Sequence, residues 1–279
     1  MAVNALYFSD GYGIKKIDLA DLVGESQSVV STILDTTTVP PIPSDSVSHI
    51  SGNAVGSDDF LAASFDDYGG PSHGAVVIKN DTASVEQYAD GYSCNKPGLS
   101  DKGILYVINE TLNRVEVYYG AHFRGDTTRA PDFIYNTTST PALFPGQILS
   151  LEVIDAASLR LSGGARLFVG TSLGMTRIET YDSQTVDGYS DGLDGYGLAI
   201  DYGIVGSGAT NEVIGGTAPQ VVAVAFNEEK SIILVCTNDS SNNGGVTEIT
   251  LAGNAQILFL NEATGLLPSN DVRDIDGGN

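Results

Sequence analysis

The residues of this chain that point toward chemistry are acidic. Asp155 closes the run ILSLEVID (148–155), and Asp274 and Asp276 lie in NDVRDID (270–276). A glycosidic bond is cleaved between two facing carboxylates, one giving a proton and the other acting as base or nucleophile. Asp155, Asp274 and Asp276 are therefore the candidate catalytic residues, with Glu152 beside the first of them. Against this reading, Trp, a natural stacking surface for a sugar ring, is absent, and neither segment forms a recognisable catalytic signature.

A second oxygen-rich stretch is DGYSDGLDGYG (187–197). Asp187, Asp191 and Asp194 are its candidate calcium ligands, since calcium takes carboxylate and carbonyl oxygens from Gly-permissive loops. The spacing matches neither a helix-loop-helix calcium site nor a nonapeptide repeat, so the plainer reading is a surface loop of Asp-Gly turns serving as a contact element. His49, His73 and His122 are the histidines, and no G-x-S-x-G elbow accompanies them. No cofactor-binding loop is present, which leaves calcium as the one cofactor worth considering.

Composition narrows the partners. The 279 residues include 35 acidic and 13 basic side chains, a net charge of −22. A field of that sign repels phosphate backbones and anionic bilayers, so nucleic acid and membrane surfaces are excluded as partners. No apolar run reaches membrane-spanning length. The opening MAVNALYFSDGYG has neither a basic nor an apolar leader region, so no signal peptide is expected. Cys236, in SIILVCTN, reads as a small buried hydrophobe; Cys94 lies in the loop-like GYSCNKPG, and a pairing of the two stays open.

The elements that must carry these residues are strands. Apolar runs rich in β-formers recur at ALYFSDG (5–11), FLAASFDD (60–67), ILYVINE (104–110), RLFVGTS (166–172) and IILVCTN (232–238). Each reads as a strand buried on both faces. A more polar, half-exposed strand follows each: GIKKIDL (13–19), GAVVIKN (74–80), RVEVYYG (114–120), GMTRIET (174–180) and GVTEITL (245–251). Third strands are expected at VVSTILD, SVEQY, DFIYN and AQILFLN, and more weakly at GLAIDYGI (197–204). Leading strands are expected at VSHISG (47–52), ILSLEVID and VVAVAFN (221–227), whereas SCNKPGLS makes a poor one. Helical periodicity is confined to one possible turn at DAASLRL (155–161).

Four strands per unit, recurring about every 45–65 residues, predict an all-β fold, a β-propeller. Sandwiches and solenoids also have many short strands, but not the same apolar-then-polar pair at a recurring interval. The expected domain spans 1–279, with five blades at 266–279 plus 1–38, 39–90, 91–140, 141–210 and 211–265. Six blades are the alternative, because the long fourth unit has room for another. A ring leaves unpaired edges unless it is closed, so NDVRDID is expected as the inner strand of the blade that ALYFSDG begins.

Read across that junction, LPSNDVRDIDGGN followed by NALYFSDGYGIKKIDL resembles the two-component regulator propeller repeat. LFVGTSLGMTRIE (167–179) and PIPSDSVSHISG (41–52) resemble it too. The chain departs from that repeat where Trp is usual, with Phe168 and Tyr7 in its place. The resemblance implies the fold and leaves function open, because the repeat serves sensors, enzymes and structural proteins alike.

The functional expectation is a non-enzymatic structural or binding propeller, associated with a virion, phage tail or appendage, that assembles with other protein subunits, with surface glycans as a further candidate partner. Such a protein reaches the exterior by lysis and is otherwise cytoplasmic. A carbohydrate-active enzyme, glycosidase or lyase, is the first alternative, and a ligand-sensing propeller of a regulatory system the second.

Overall fold

The computed structural model describes residues 5–10, 13–18, 30–35, 37, 47–55, 58–65, 74–81, 85–89, 91–120, 130–155, 165–181, 185–186, 189–190, 195–196, 199–239, 241, 243–250 and 255–275. The chain divides into two compact units, residues 1–133 with 185–191, and residues 134–184 with 192–279.

The first unit opens with β1 (Ala5–Ser9), β2 (Gly13–Asp18) and β3 (Ser31–Asp35), paired in that order. Next come β4 (Val47–Val55), β5 (Asp58–Phe65), β6 (Ala75–Lys79) and β7 (Val85–Tyr88), a four-stranded antiparallel meander. A third sheet follows, with β8 (Cys94–Leu99), β9 (Leu105–Asn109), β10 (Arg114–Tyr118) and β11 (Phe133–Tyr135).

In the second unit, β12 (Ile148–Asp155), β13 (Ala165–Thr171) and β14 (Met175–Tyr181) form consecutive antiparallel pairs. Beyond Tyr181, β15 (Thr185–Val186) and β16 (Tyr189–Ser190) pair with each other and belong to the first unit, and the second unit continues with β17 (Gly195–Tyr196) and β18 (Ile200–Tyr202). Both β17 and β18 pair with β14. The last sheet is β19 (Gln220–Asn227), β20 (Ile232–Asn238), β21 (Gly245–Thr250) and β22 (Gln256–Leu260), followed by a 3-10 turn at Glu262–Thr264.

Four of the apolar runs, in β5, β9, β13 and β20, are the second strands of their sheets, as the sequence predicts, whereas β1 is the first strand of the sheet it forms with β2 and β3. All of β9 and β13 is buried, as is β5 from Phe60 onward. Such strands have apolar neighbours on both faces and gain about 1.5–3 kcal/mol per large side chain removed from water. Two expectations change. The more polar β6 and β10 are almost wholly buried, because their side chains too join the clusters between neighbouring sheets of the first unit. Conversely β1, expected to be buried on both faces, is only partly so, with Leu6 51% exposed.

The segment around SCNKPGLS is a strand after all. Pro97 is tolerated because β8 is an edge strand whose ladder to β9 breaks between Asn95 and Gly98, with Lys96 at φ +45°. Similar irregularities occur near the start of β4 (between Val47 and His49), β12 (Ile148 and Ser150) and β19 (Val221 and Ala223). An irregularity at the head of each of these four sheets is thus a repeat of geometry.

Beside these bulges, hydroxyls tie one sheet to the next. Ser48 Oγ donates to Cys94 O at 3.0 Å within the first unit. In the second, Ser150 Oγ donates to Val221 O at 3.0 Å. Gly170 lies opposite Ser150, and a Cβ there would stand 2.2 Å from Ser150 Oγ and 2.6 Å from Val221 O. Gly170→Ala is expected to cost about 1–3 kcal/mol, since backbone rather than a flexible side chain must yield. Thermal unfolding measures it, and a variant melting at the wild-type temperature would show that the sheets part without penalty.

Residues 271–275 carry no ladder pairing, and Asp276 lies outside the described residues. The tail is fastened to the last sheet instead. Gly244 N donates to Asn270 O at 3.0 Å, and Asn238 Nδ2 donates to Asp271 Oδ1 at 3.0 Å and Val272 O at 3.1 Å. Leu267, Val272 and Ile275 pack on the cluster of Ala223, Cys236 and Val246. The possible helical turn of DAASLRL falls, past Asp155, outside the described residues.

Candidate functional site

Of the candidate acids, Asp155 ends β12 opposite Ala165 and is half-buried, as is Glu152 opposite Phe168. Asp274 is exposed in the tail, where its Oδ1 accepts from Ile275 N at 3.0 Å. The bond from Ser150 to Val221 sets the heads of β12 and β19 side by side, and the tail is fastened at Asn238, which pairs with Gln220 at that head. Asp155 lies five residues beyond Ser150, roughly 16 Å along the strand. The tail is fastened at Asn270, Asp271 and Val272, and Asp274 lies three residues past Asp271. His49 is half-buried on β4 opposite Ser64. Asp276, Asp187, Asp191, Asp194, His73 and His122 lie outside the described residues.

Three charged clusters are built by the strands. The first surrounds Glu116, which is 1% exposed on β10. Its Oε1 accepts from Arg114 Nε at 2.8 Å, Arg114 Nη2 at 2.5 Å and Asn109 Nδ2 at 2.9 Å, and its Oε2 accepts from Tyr118 Oη at 2.5 Å. Asn109 also holds the hairpin, its Oδ1 accepting from Leu112 N at 3.0 Å. Burial, then the bond to Glu116, pushes the Tyr118 phenol far above its ordinary value. Burial likewise raises the neighbouring Cys94 thiol, helped by the charges of Glu116 and Glu110. Cys94 and Cys236 are both free and buried.

Glu116 pairs with Val107, as Thr176 pairs with Val169 and Thr247 with Val235. In the later sheets the hydroxyl accepts a backbone N–H from a connecting segment, Phe144 N at 2.7 Å and Gly215 N at 3.0 Å. The third sheet puts a carboxylate at this framework position and neutralises it internally. Charge this well buried and partnered belongs to the scaffold.

The second cluster lies in the other unit. Arg166 and Glu179 are cross-strand partners, and Phe168 pairs with Arg177. Arg166 Nη2 donates to Glu179 Oε1 at 2.6 Å, and Arg177 Nη2 stands 3.8 Å from the same oxygen. Tyr202, opposite Met175 on β18, shares this face. Its ring packs against residues of the last sheet, among them Val224 and Ile233. Burial raises its phenol pKa, while the charges of Arg177 and Arg166 pull the other way.

The acidic stretch singled out in the sequence begins and ends here. β14 pairs through Thr180 and Tyr181 with β17, and through Met175–Arg177 with β18, so the segment between Tyr181 and Ile200 leaves and rejoins the strand holding Arg177 and Glu179.

The third cluster is at the surface of the first unit. Tyr7 Oη donates to Asp81 Oδ1 at 2.9 Å and Lys16 Nζ to Asp81 Oδ2 at 2.5 Å, with Lys16 5.7 Å from the Tyr7 ring centre. Burial, then the bond to Asp81, pushes the Tyr7 phenol up to about 12. Asn80 and Asp81, at φ +50° and +55°, take the left-handed turn that short polar side chains tolerate.

No protein-family model matches this chain, and no curated protein matches it. Among solved structures, Sqt1 of Saccharomyces cerevisiae is similar at a TM-score of 0.53 and 9% identity, covering 98% of this chain and 63% of that one. The fold is a β-propeller. The calcium-binding protein regucalcin of Agrobacterium tumefaciens aligns with a TM-score of 0.47 and 13% identity over 85% of this chain and 65% of its own. The WD40 β-propeller domain of Doa1 aligns with a TM-score of 0.36 and 9% identity over 98% and 81%. The chain therefore spans less than two thirds of Sqt1 and of regucalcin. At such identities the likeness speaks of fold alone.

Within the propeller, no group of three or more His, Cys, Asp or Glu side chains is arranged to hold a metal among the described residues. No helix of the described residues is long and apolar enough to cross a membrane. The clusters at Glu116 and Arg166 escaped the sequence reading, which took RVEVYY and GMTRIET as half-exposed strands. The signal was there in the spacing. Arg114, Glu116 and Tyr118, like Arg177 and Glu179, alternate along one face, and a strand between two sheets turns such a face inward.

Proposed function

We propose that this propeller is a non-enzymatic binding and assembly protein that docks on other protein subunits. The supporting observation is β22. It pairs with β21 on one side, and Leu258 and Ile257, the latter at a break in that ladder, are 41% and 51% exposed. Leu266, just past the 3-10 turn, is 66% exposed. An outer strand that keeps apolar side chains in water is a template for strand addition or for a partner's apolar surface. Acidic, Gly- and Thr-rich β composition favours a virion tail or appendage as the assembly, with exposure to the exterior after lysis.

The test replaces Ile257 and Leu258 with Lys together. The variant is expected to fold with an unchanged melting temperature, since both side chains already meet water, and to drop out of the particle or complex with which the wild-type chain co-purifies. Equal incorporation of the variant overturns the reading. So does polysaccharide cleavage that disappears with Asp155→Asn or Asp274→Asn, which would return the protein to the carbohydrate-active alternative.

A further inference from the structure

The turn between β20 and β21 contains a chemically labile pair, Asn243 followed by Gly244. In an Asn-Gly pair the glycine nitrogen meets no side chain on its way to the asparagine amide carbon, so this pair cyclises more readily than other Asn dipeptides. The local structure calls for both residues. A Cβ on Gly244 would stand 2.1 Å from Thr237 O and 2.6 Å from Asn270 O, so no larger residue fits. Asn243 closes the turn on Asp239. Its backbone N donates to Asp239 Oδ1 at 3.0 Å and its Nδ2 to Asp239 Oδ2 at 3.0 Å, while Ser241 N donates to Oδ1 at 2.7 Å. The bonds from Asn243, then the one from Ser241, hold the Asp239 carboxyl below the usual carboxylate range, so it is charged at neutral pH.

The tail guards this pair. Gly244 N, the atom that would attack, donates to Asn270 O at 3.0 Å, and Gly244 is buried although Asn243 is exposed. Asn270 is held from its other end, where its Oδ1 accepts from Glu262 N at 2.7 Å. Just beyond it, Asn238 Nδ2 grips Asp271 Oδ1 at 3.0 Å and Val272 O at 3.1 Å. An amide N–H tied to a carbonyl and shut off from solvent gives up its proton only when the local structure opens. A nitrogen fixed in this way also cannot swing onto the neighbouring side chain, and the Asn243 carboxamide is itself tied down by Asp239. Cyclisation therefore waits on an opening that frees Gly244 from the tail.

We propose that Asn243 is a modification site, a deamidation site gated by the tail. When the tail lifts, Gly244 N loses its proton to hydroxide and attacks Asn243 Cγ. The bond from Gly244 N to Cγ forms, the bond from Cγ to Nδ2 breaks, and Nδ2 leaves as ammonia after taking a proton from water. Water then opens the cyclic imide at one carbonyl or the other, which leaves aspartate or isoaspartate at position 243. Either product puts a carboxylate where Nδ2 donated to Asp239, so an attraction becomes a repulsion between like charges at close range. Isoaspartate also adds a backbone atom to a turn whose N–H must reach Asn270 O. The modified turn cannot re-form its clasp, and a transient release of the tail becomes permanent. The released tail uncovers the cluster of Ala223, Cys236 and Val246. This chemistry is independent of docking through β22.

The test incubates the full chain at mildly alkaline pH and follows the peptide containing Asn243 by mass spectrometry, with aspartate and isoaspartate separated by chromatography. Deamidation of the folded wild type is expected to be at least about tenfold slower than in the same chain held unfolded in denaturant, as for a local opening populated at about one part in ten or less. Val272→Ala, which loosens the tail and leaves the turn intact, should speed it about fivefold to tenfold. Deletion of residues 266–279 should bring it near the denatured rate, and if that variant does not fold, the Val272→Ala comparison decides alone. Asn243→Gln, whose longer side chain cyclises slowly, should give no product at position 243. Asn243→Asp, which installs one of the two products directly, should lower the melting temperature and let Cys236, fully buried in the wild type, react with an alkylating reagent under native conditions. Equal rates in folded and denatured wild type, equal rates in wild type and Val272→Ala, or an Asn243→Asp variant with the wild-type melting temperature and a protected Cys236 each overturns the proposal.

Discussion

Glu116→Ala lowers the stability of the protein by about 3–5 kcal/mol, the cost of removing one partner from a buried ionic network. The loss is not that of one ion pair. Arg114, with 24% of its side chain exposed, can turn to water, but Tyr118 and Asn109 cannot. Their hydroxyl and amide donors, bound to Glu116 at 2.5 and 2.9 Å, are left in the interior without an acceptor. A shift of this size moves the melting temperature of a chain this long by on the order of 10 °C. Glu116→Gln keeps the shape and one acceptor oxygen and should lose less. Pairing Glu116→Leu with Tyr118→Phe should recover part of the loss, because fewer polar groups are then orphaned. Chemical and thermal unfolding of the three variants measure this. A loss below about 1 kcal/mol for Glu116→Ala would mean that the network is looser in solution than its distances.

Deleting residues 266–279 is the second change with a large expected effect. The sequence reading attributes the loss to an unpaired edge, since the tail is taken as the closing strand of the first blade. The structure supplies a local cause. Leu267, Val272 and Ile275 cover Ala223, Cys236 and Val246, and Asn238 is tied to Asp271 and Val272. Uncovering that cluster and breaking those bonds costs about 3–5 kcal/mol. A chemical readout accompanies the thermal one. Cys236 is fully buried in the intact chain, and after truncation its thiol should react with an alkylating reagent under native conditions. A truncated protein with the wild-type melting temperature and a protected Cys236 would show that the tail covers nothing of consequence.

Much of this architecture is legible in the residues. FLAASF, ILYVIN and RLFVGT announce buried strands because β-rich apolar stretches between turn formers have few other places to go. CNKPGL was illegible because its pairing depends on an edge position and a bulge, and neither is a property of the residues alone. The charged clusters were hidden for a related reason. RVEVYY looks half-exposed when read as one strand, and the packing of its sheet on the neighbouring sheet of the same unit makes this face internal. Asp155 and Asp274 show the converse limit. Residue type and strand context suggested a pair, while Asp155 ends a paired strand and Asp274 lies in a tail segment without ladder pairing.

The strand that holds Arg177 and Glu179 releases the chain at Tyr181 and takes it back at Ile200, with pairings on both sides of the gap. Because β14 meets the chain again at Gly195–Tyr196 and at Ile200–Tyr202, the frame of the blade does not depend on the length of chain between Tyr181 and Gly195. For a protein whose partner changes faster than its own architecture, that single junction is where new recognition is acquired at least risk to folding.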